Sequence, residues 1–243
     1  MIIRRLVTAL RKQDWGIAAI DFVIVVAGIF VGLRVDDWAK DRAAAEVERG
    51  MLALIVSDIR READALDSFI DGFSSSAESL KKVADLIQSH PNVNPEELSS
   101  AATKSFSGWI WVPYDGAYRN LQQSGDFSIL GNEEIAARLT AHYETWGASF
   151  DFISARVFEA QGDYREALYT TMIQYPEQGE DGSMSYSAPS IDDIGALRDD
   201  GAFWASLRHY LYVVEHSIRA ATLRRERARE EITLIEDYLA LAE

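Results

Sequence analysis

The sequence predicts an all-α protein in which one N-terminal transmembrane helix continues into an elongated antiparallel helical bundle. Three observations support this prediction. An apolar stretch near the N-terminus is long enough to cross a bilayer. Three later segments repeat apolar residues every three or four positions, the period of an amphipathic helix. The composition, with 48% apolar and 26% charged residues and only 5 Pro, is that of a folded chain.

The charge pattern around the apolar stretch predicts how the chain is divided and oriented. Residues 1–15 form a short basic segment, 16–38 the transmembrane helix and 39–243 the bundle domain. Because basic residues concentrate on the cytoplasmic side, we expect the N-terminus inside the cell and the domain outside. The basic residues that precede and follow the stretch are Arg4, Arg5, Arg11 and Lys12, then Lys40, Arg42 and Arg49.

Two tryptophans bracket the apolar stretch, which runs from Gly16 to Val35. Trp15 and Trp38 lie roughly 34 Å apart along a helix that rises about 1.5 Å per residue. This separation suits aromatic anchors at the two interfaces of a bilayer core about 30 Å thick. Arg34 lies one turn inside the second anchor, where its long side chain reaches the interface. A small-x-small cleavage signal does not follow, which favours a span over a signal peptide.

One face of this helix carries an acid together with small residues. At about 100° per residue, Gly28 and Gly32 project within about 20° of Asp21, and Val25 lies beside them. Two glycines at this spacing let another helix approach closely, so the face is predicted to pack on a partner helix. Alternatively, Asp21 is an interfacial acid that reaches the headgroups and complements the helix N-terminus.

The first two helices of the outer domain have clear start and stop signals. The first carries a helical period from Leu52 onward and ends at His90-Pro91-Asn92, after which Pro95 begins a short helix. The second begins after Asn132, a good N-cap residue, and continues toward Met172. His142 falls on its apolar face, where a hydrogen-bonded core histidine is expected rather than a metal ligand.

The last helix has the most regular pattern in the chain. Its apolar residues alternate steps of four and three, which predicts a heptad seam with Arg225 as its one charged member. A charged residue in a seam is typical of a register or pairing function. The predicted seam residues are Leu207, Leu211, Val214, Ile218, Ala221, Arg225, Ala228, Ile232, Ile235 and Leu239.

Two irregular segments separate these helices. The first is rich in aromatic residues, namely Trp109, Trp111, Tyr114 and Tyr118, and is predicted to cap the bundle or, alternatively, to line a ligand pocket. The second, Tyr175 to Asp193, is acidic but lacks the spacing of a calcium-binding loop, so we expect a solvated loop.

Composition excludes several classes of function. A net charge of −15 disfavours nucleic-acid binding, which needs a basic face. With no Cys there is no disulfide, iron–sulfur cluster or thiolate zinc site, and the four His are scattered. The sequence therefore predicts no catalytic residues, no metal and no cofactor.

Two stretches carry a resemblance to a known family. Arg11 to Trp15, Ile20 to Leu33 and Trp38 resemble a widespread family of bacterial single-span inner-membrane proteins with a helical periplasmic domain. In that family an acid leads a Val/Ile/Gly-rich span that ends at Trp. Tyr118 to Asn132 is similar to its Leu-x-x-Ser-Gly segment. The family commonly has Asn on both sides of the Trp, where this chain has Asp37 and Ala39. The resemblance implies location in the inner membrane and supplies no activity.

These features lead to one main functional hypothesis and two alternatives. The main hypothesis is a non-catalytic, membrane-anchored interaction or accessory subunit whose span packs against other transmembrane helices, in a homo-oligomer or a larger complex. One alternative is a sensor-like periplasmic bundle with a ligand near the aromatic segment. The other is a plug subunit of a proton-driven motor that uses Asp21.

Overall fold

The computed structural model describes residues 15–106, 114–125, 127–172, 177–178, 184–185 and 191–241. These ranges are helical apart from short turns and one small strand pair, which confirms the all-α class. The chain divides into two compact units, Met1–Met51 and Leu52–Glu243.

Seven α-helices, a 3-10 turn and a π-helical turn make up the described part of the chain. The α-helices are α1 Trp15–Gln88, α2 Pro95–Lys104, α3 Gly116–Ser124, α4 Glu133–Thr140, α5 Trp146–Met172, α6 Ile191–Asp199 and α7 Gly201–Leu241. The 3-10 turn is Phe127–Ile129, and the π-turn, Ala141–Thr145, joins α4 to α5. Strands β1, Glu177–Gln178, and β2, Met184–Ser185, pair antiparallel in the segment where a loop was expected.

In the first unit, α1 exposes a row of large apolar side chains. They are Phe22, Val23, Ile24, Val25, Ile29, Phe30, Val31, Leu33, Val35 and Trp38, each more than half exposed. Side chains are described from Phe22 onward, and across that part of the chain no helix is both long enough and apolar enough to cross a membrane.

In the second unit, α1 buries the face that its apolar period predicts. Seven apolar residues recur at this period from Leu52 onward. Ile70 is half-buried and the other six are buried: Leu52, Ile55, Ile59, Ala63, Leu66 and Phe73. The helix ends before His90-Pro91, as expected because proline cannot continue a helix. The next helix starts at Pro95, and the side chain of Asn94 accepts a hydrogen bond from the backbone N–H of Glu96 at 3.0 Å.

Helices α1 and α7 lie antiparallel, because residue numbers rise along one as they fall along the other in the contacts that join them. These contacts are Arg60 with Glu236, Asp67 with Arg229, and Lys81 with Glu215. The main core lies between these two helices and α2, α5 and α6. At its centre the buried hydroxyl of Tyr210 donates to the carbonyl of Ser105 at 3.2 Å and accepts from Gln161 at 3.1 Å.

The seam of α7 differs from the predicted one in one of its two columns. The column from Leu207 to Ile235 is buried as predicted. The second column lies one residue earlier than expected, so Arg224 rather than Arg225 is the buried basic residue. The residues of this column are Phe203, Tyr210, Ser217, Arg224 and Glu231. Hydropathy favoured the more apolar neighbouring column, but these polar side chains have partners inside the bundle that offset the cost of burial.

Candidate functional site

The predicted helix-packing face of α1 is open. A methyl group added at Gly28 or Gly32 would meet no described atom within 4 Å, and Val25 is 60% exposed. Asp21 and Trp15 belong to the helix, but their side chains lie outside the described residues. The face is therefore available to another helix, and its occupancy remains a prediction.

The predicted anchor at the end of the apolar row is also exposed. The Trp38 side chain is 62% exposed and the guanidinium of Arg42 lies 5.7 Å from its ring centroid. Arg34 is exposed one turn earlier. Both side chains are therefore exposed, and their role as interfacial anchors remains a prediction.

The structure describes only half of the predicted aromatic cluster. Trp109 and Trp111 lie outside the described residues, and Tyr114 is half-buried. The Tyr118 ring is 3% exposed and stacks on Tyr143 with centroids 4.4 Å apart. Tyr118 is thus already packed inside the bundle, which agrees better with a capping role than with an open ligand pocket at this residue.

A second site, not predicted from the sequence, is a cluster of four charged residues inside the bundle. We call Glu62, His142, Arg224 and Glu231 the tetrad. Glu62 is 2% exposed, His142 1% and Arg224 4%, while the side chain of Glu231 is 12% exposed. The four residues come from α1, the π-turn and α7, so the tetrad joins three segments that are distant in sequence.

Each ring nitrogen of His142 faces a carboxylate. Nε2 lies 2.8 Å from Oε2 of Glu62, and Nδ1 is in ion-pair contact with Oε2 of Glu231. Arg224 completes the set, because its Nε donates to Oε1 of Glu62 at 2.5 Å and its Nη1 donates to the backbone carbonyl of His142 at 2.8 Å. The tetrad is therefore held by charge-assisted contacts, which are among the stronger polar interactions in proteins.

The π-turn at Ala141–Thr145 positions His142. Helix α4, which leads into it, begins at the predicted N-cap Asn132, whose side chain accepts from the backbone N–H of Glu134 at 2.9 Å. A π-turn has wider hydrogen-bond spacing than an α-helix and occurs often at functional sites. Here the carbonyl of His142 accepts from Arg224, so this turn is fixed to α7 as well as to its own helix.

The surroundings shift the pKa values of His142 and Glu62 in opposite directions. Burial alone would lower the pKa of His142, but the contacts with Glu231 and Glu62 outweigh burial and hold it above its ordinary value. Burial alone would raise the pKa of Glu62, but the hydrogen bond to His142 and the charges of His142 and Arg224 hold it below its ordinary value. Both groups are therefore stabilised in their charged forms.

The aromatic ring of Tyr143 packs against His142 of the tetrad. The ring of Tyr143 meets His142 edge-on, with centroids 4.7 Å apart, and burial raises the pKa of its phenol. Next to it, Oδ2 of Asp58 accepts from the backbone N–H of Ala117 at 2.8 Å, which fixes the start of α3 to α1. The low exposure of Glu62, His142 and Arg224 separates the tetrad from bulk water, which suits it to hold a proton.

One sequence signal marks the tetrad in retrospect. Glu62 lies between Ile59 and Leu66 at steps of three and four, inside the apolar column of α1. An acid in such a column needs a buried cation, and Arg224 occupies the equivalent column of α7. Across the residues that the structure describes, no group of three His, Asp or Glu side chains has the arrangement of a metal site.

Comparison with known proteins yields no relative. No family model, no curated protein and no solved structure matches this chain. The functional conclusions therefore depend on the residues and contacts described above.

Proposed function

We propose that this protein is a membrane-anchored interaction or accessory subunit of the bacterial inner membrane. Its N-terminal helix crosses the bilayer with the N-terminus in the cytoplasm, and the helical domain lies in the periplasm. The observation that carries the proposal is the uncovered apolar row of α1, from Phe22 to Trp38, with Gly28 and Gly32 open beside it.

The bilayer accounts for the exposure of this row. Phe22 is 68% exposed and Phe30 64%, and their neighbours along the helix are exposed to similar degrees. Soluble monomers rarely expose contiguous apolar patches larger than a few hundred Å², because water contact with such a patch is unfavourable. Lipid removes that cost on all sides of the helix, including the sides that a single protein partner would leave uncovered.

The glycine pair indicates a partner inside the membrane. Lipid chains are as apolar as leucine, so the hydrophobic effect does not bring two spans together, and close backbone packing must do so. Gly28 and Gly32 give the close approach, and Asp21 lies on the same face by helical register. The partner is then a transmembrane helix, from a second copy or from another subunit, that satisfies Asp21.

The alternatives receive less support. A sensor would bind its ligand at the aromatic segment, but the Tyr118 ring of that segment is already packed on Tyr143. A motor-type plug subunit would place a proton on Asp21, but such subunits carry α/β outer domains, whereas the described part of this domain is helical apart from one short strand pair.

Substitutions that block the glycine face test the partner. We expect Gly28→Ile and Gly32→Ile to leave the protein in the membrane fraction but to abolish co-purification of its partner after mild detergent extraction, because the added side chain keeps the helices apart. Ala27→Ile is the matched control, since it adds a similar side chain about 120° away from the centre of that face. Association that survives both glycine substitutions would remove the proposed packing face.

A further inference from the structure

We propose that the tetrad is a proton-binding latch: with a proton on His142 it holds the C-terminal part of α7 against α1 and the π-turn, and loss of that proton releases it. The inference is independent of the proposed function, because it concerns contacts within the second unit alone. Its ligand is a proton, and its two states are a bound and a released C-terminal part of α7.

The first step of the proposal follows from the number of hydrogen-bond donors on the His142 ring. Both ring nitrogens of His142 lie against carboxylate oxygens, one from Glu62 and one from Glu231. A neutral imidazole has one N–H donor and one lone pair, whereas an imidazolium has two N–H donors. After deprotonation, one of the two carboxylates therefore faces a lone pair at contact distance and is repelled.

The second step follows from the net charge of the tetrad in its two protonation states. The protonated tetrad has two cations and two carboxylates, so its net charge is zero, whereas the deprotonated tetrad has a net charge of −1 in a buried place. A buried charge without a partner is unfavourable by several kcal/mol. The other titratable groups around His142 do not offset it: Asp58 of α1, Tyr118 of α3, and Tyr143 and Glu144 of the π-turn are acidic or phenolic.

The structure indicates which carboxylate leaves. Glu62 retains Arg224 after His142 loses its proton, at 2.5 Å. Oε2 of Glu231 has no hydrogen-bond partner in the described structure apart from its ion-pair contact with His142, and this side chain is the most exposed of the four. Movement of Glu231 toward water takes the adjoining part of α7 with it.

Buried side chains and ion pairs also hold this end of α7, among them the half-buried pair of Arg225 with Asp67. Ala228 and Ile235 are buried, while Arg60 pairs with Glu236 and Arg229 with Asp67 at the exposed surface. Exposed ion pairs contribute at most about 1 kcal/mol each. Loss of the buried contact at Glu231 is thus large compared with the contribution of each exposed ion pair.

The direction of the pH effect follows from proton linkage. The closed state holds the pKa of His142 above its ordinary value of 6.5, and the released state returns it toward that value. The stabilising contribution is therefore complete below about pH 6.5 and is lost as the pH rises through the closed-state pKa. Within this window the ratio of released to closed molecules rises up to about tenfold per pH unit.

A distance measurement on the full chain tests the latch. The chain has no Cys, so spin labels can be placed on Asp64→Cys in α1 and Asp237→Cys in α7, both at exposed positions. In the detergent-solubilised protein we expect one narrow distance distribution at about pH 6. A second, broader population should grow on going to about pH 10. A distribution that does not change over this range would overturn the proposal.

Three variants separate the latch from a simple structural role. Glu231→Gln is expected to stay closed at high pH, because the amide donates to Nδ1 of a neutral His142 and the buried charge returns to zero. His142→Gln should be released to the same extent at every pH. His216→Gln, at an exposed position on the same helix, should behave like the wild type. If His142→Gln fails to fold, Glu231→Gln still decides, since release at high pH equal to the wild type would contradict the latch.

Discussion

Glu62 occupies a place in α1 where an apolar residue would otherwise continue the column between Ile59 and Leu66. Glu62 is 2% exposed, and its carboxylate contacts both His142 and Arg224, so this single anion faces two cations. Removal of that anion leaves two buried cations against Glu231 alone, which is more costly than the loss of a single hydrogen bond.

The substitution Glu62→Gln is therefore predicted to lower the free energy of unfolding by about 3–5 kcal/mol at neutral pH. Chemical denaturation followed by circular dichroism measures the change. Asp67→Asn is the matched control, because Asp67 also pairs with two cations, Arg225 and Arg229, but its side chain is 40% exposed. Its loss should stay below about 1 kcal/mol, and equal losses in the two variants would show that burial does not control the energetics.

At the scale of the elements, the ends of the helices were easier to predict than the columns of residues that the helices bury. The end of α1 before Pro91, the start of α2 at Pro95 and the cap at Asn132 follow from local chemistry, since proline and capping side chains act within one turn. The π-turn at Ala141–Thr145 could not be predicted in this way. The carbonyl of His142 in this turn accepts a hydrogen bond from Arg224, which is 82 residues further along the chain.

The column of α7 illustrates the same difference. Two neighbouring columns share the period of four and three, and hydropathy alone favours the one with Leu211 and Ile218. The structure buries Tyr210 and Ser217 instead, because both hydroxyls find hydrogen-bond partners. The distant partner of Tyr210, which the single sequence does not display, favours this column, whereas Ser217 donates to the carbonyl of Val213 in its own helix.

A pair of adjacent substitutions tests this register. We expect Arg224→Met to lower the free energy of unfolding by about 3–5 kcal/mol, because it leaves Glu62 buried with one cation fewer. Arg225→Met should cost less than about 1 kcal/mol, since Arg225 pairs with Asp67 near the surface. Thermal unfolding of the two proteins provides the comparison, and a larger loss for Arg225→Met would restore the column that hydropathy favours.

At the scale of the whole molecule, two units carry different proposals. The first unit, Met1–Met51, presents the uncovered apolar row, and the second, Leu52–Glu243, encloses the tetrad. The apolar row itself was predictable, because it follows directly from the run of apolar residues in the sequence, whereas its insertion into a membrane remains a prediction. A partner could not be identified from the sequence, since one chain shows the face that it offers and not what covers that face.

Membrane topology is the central claim, and fractionation of cells that produce the full chain tests it most directly. The protein should remain in the membrane pellet after an alkaline carbonate wash, since lipid covers the apolar row of α1. Protease added to spheroplasts should digest the helical domain while the cytoplasmic membrane stays intact. Recovery of the protein in the soluble fraction would contradict the anchor, and a protected domain would contradict the proposed orientation.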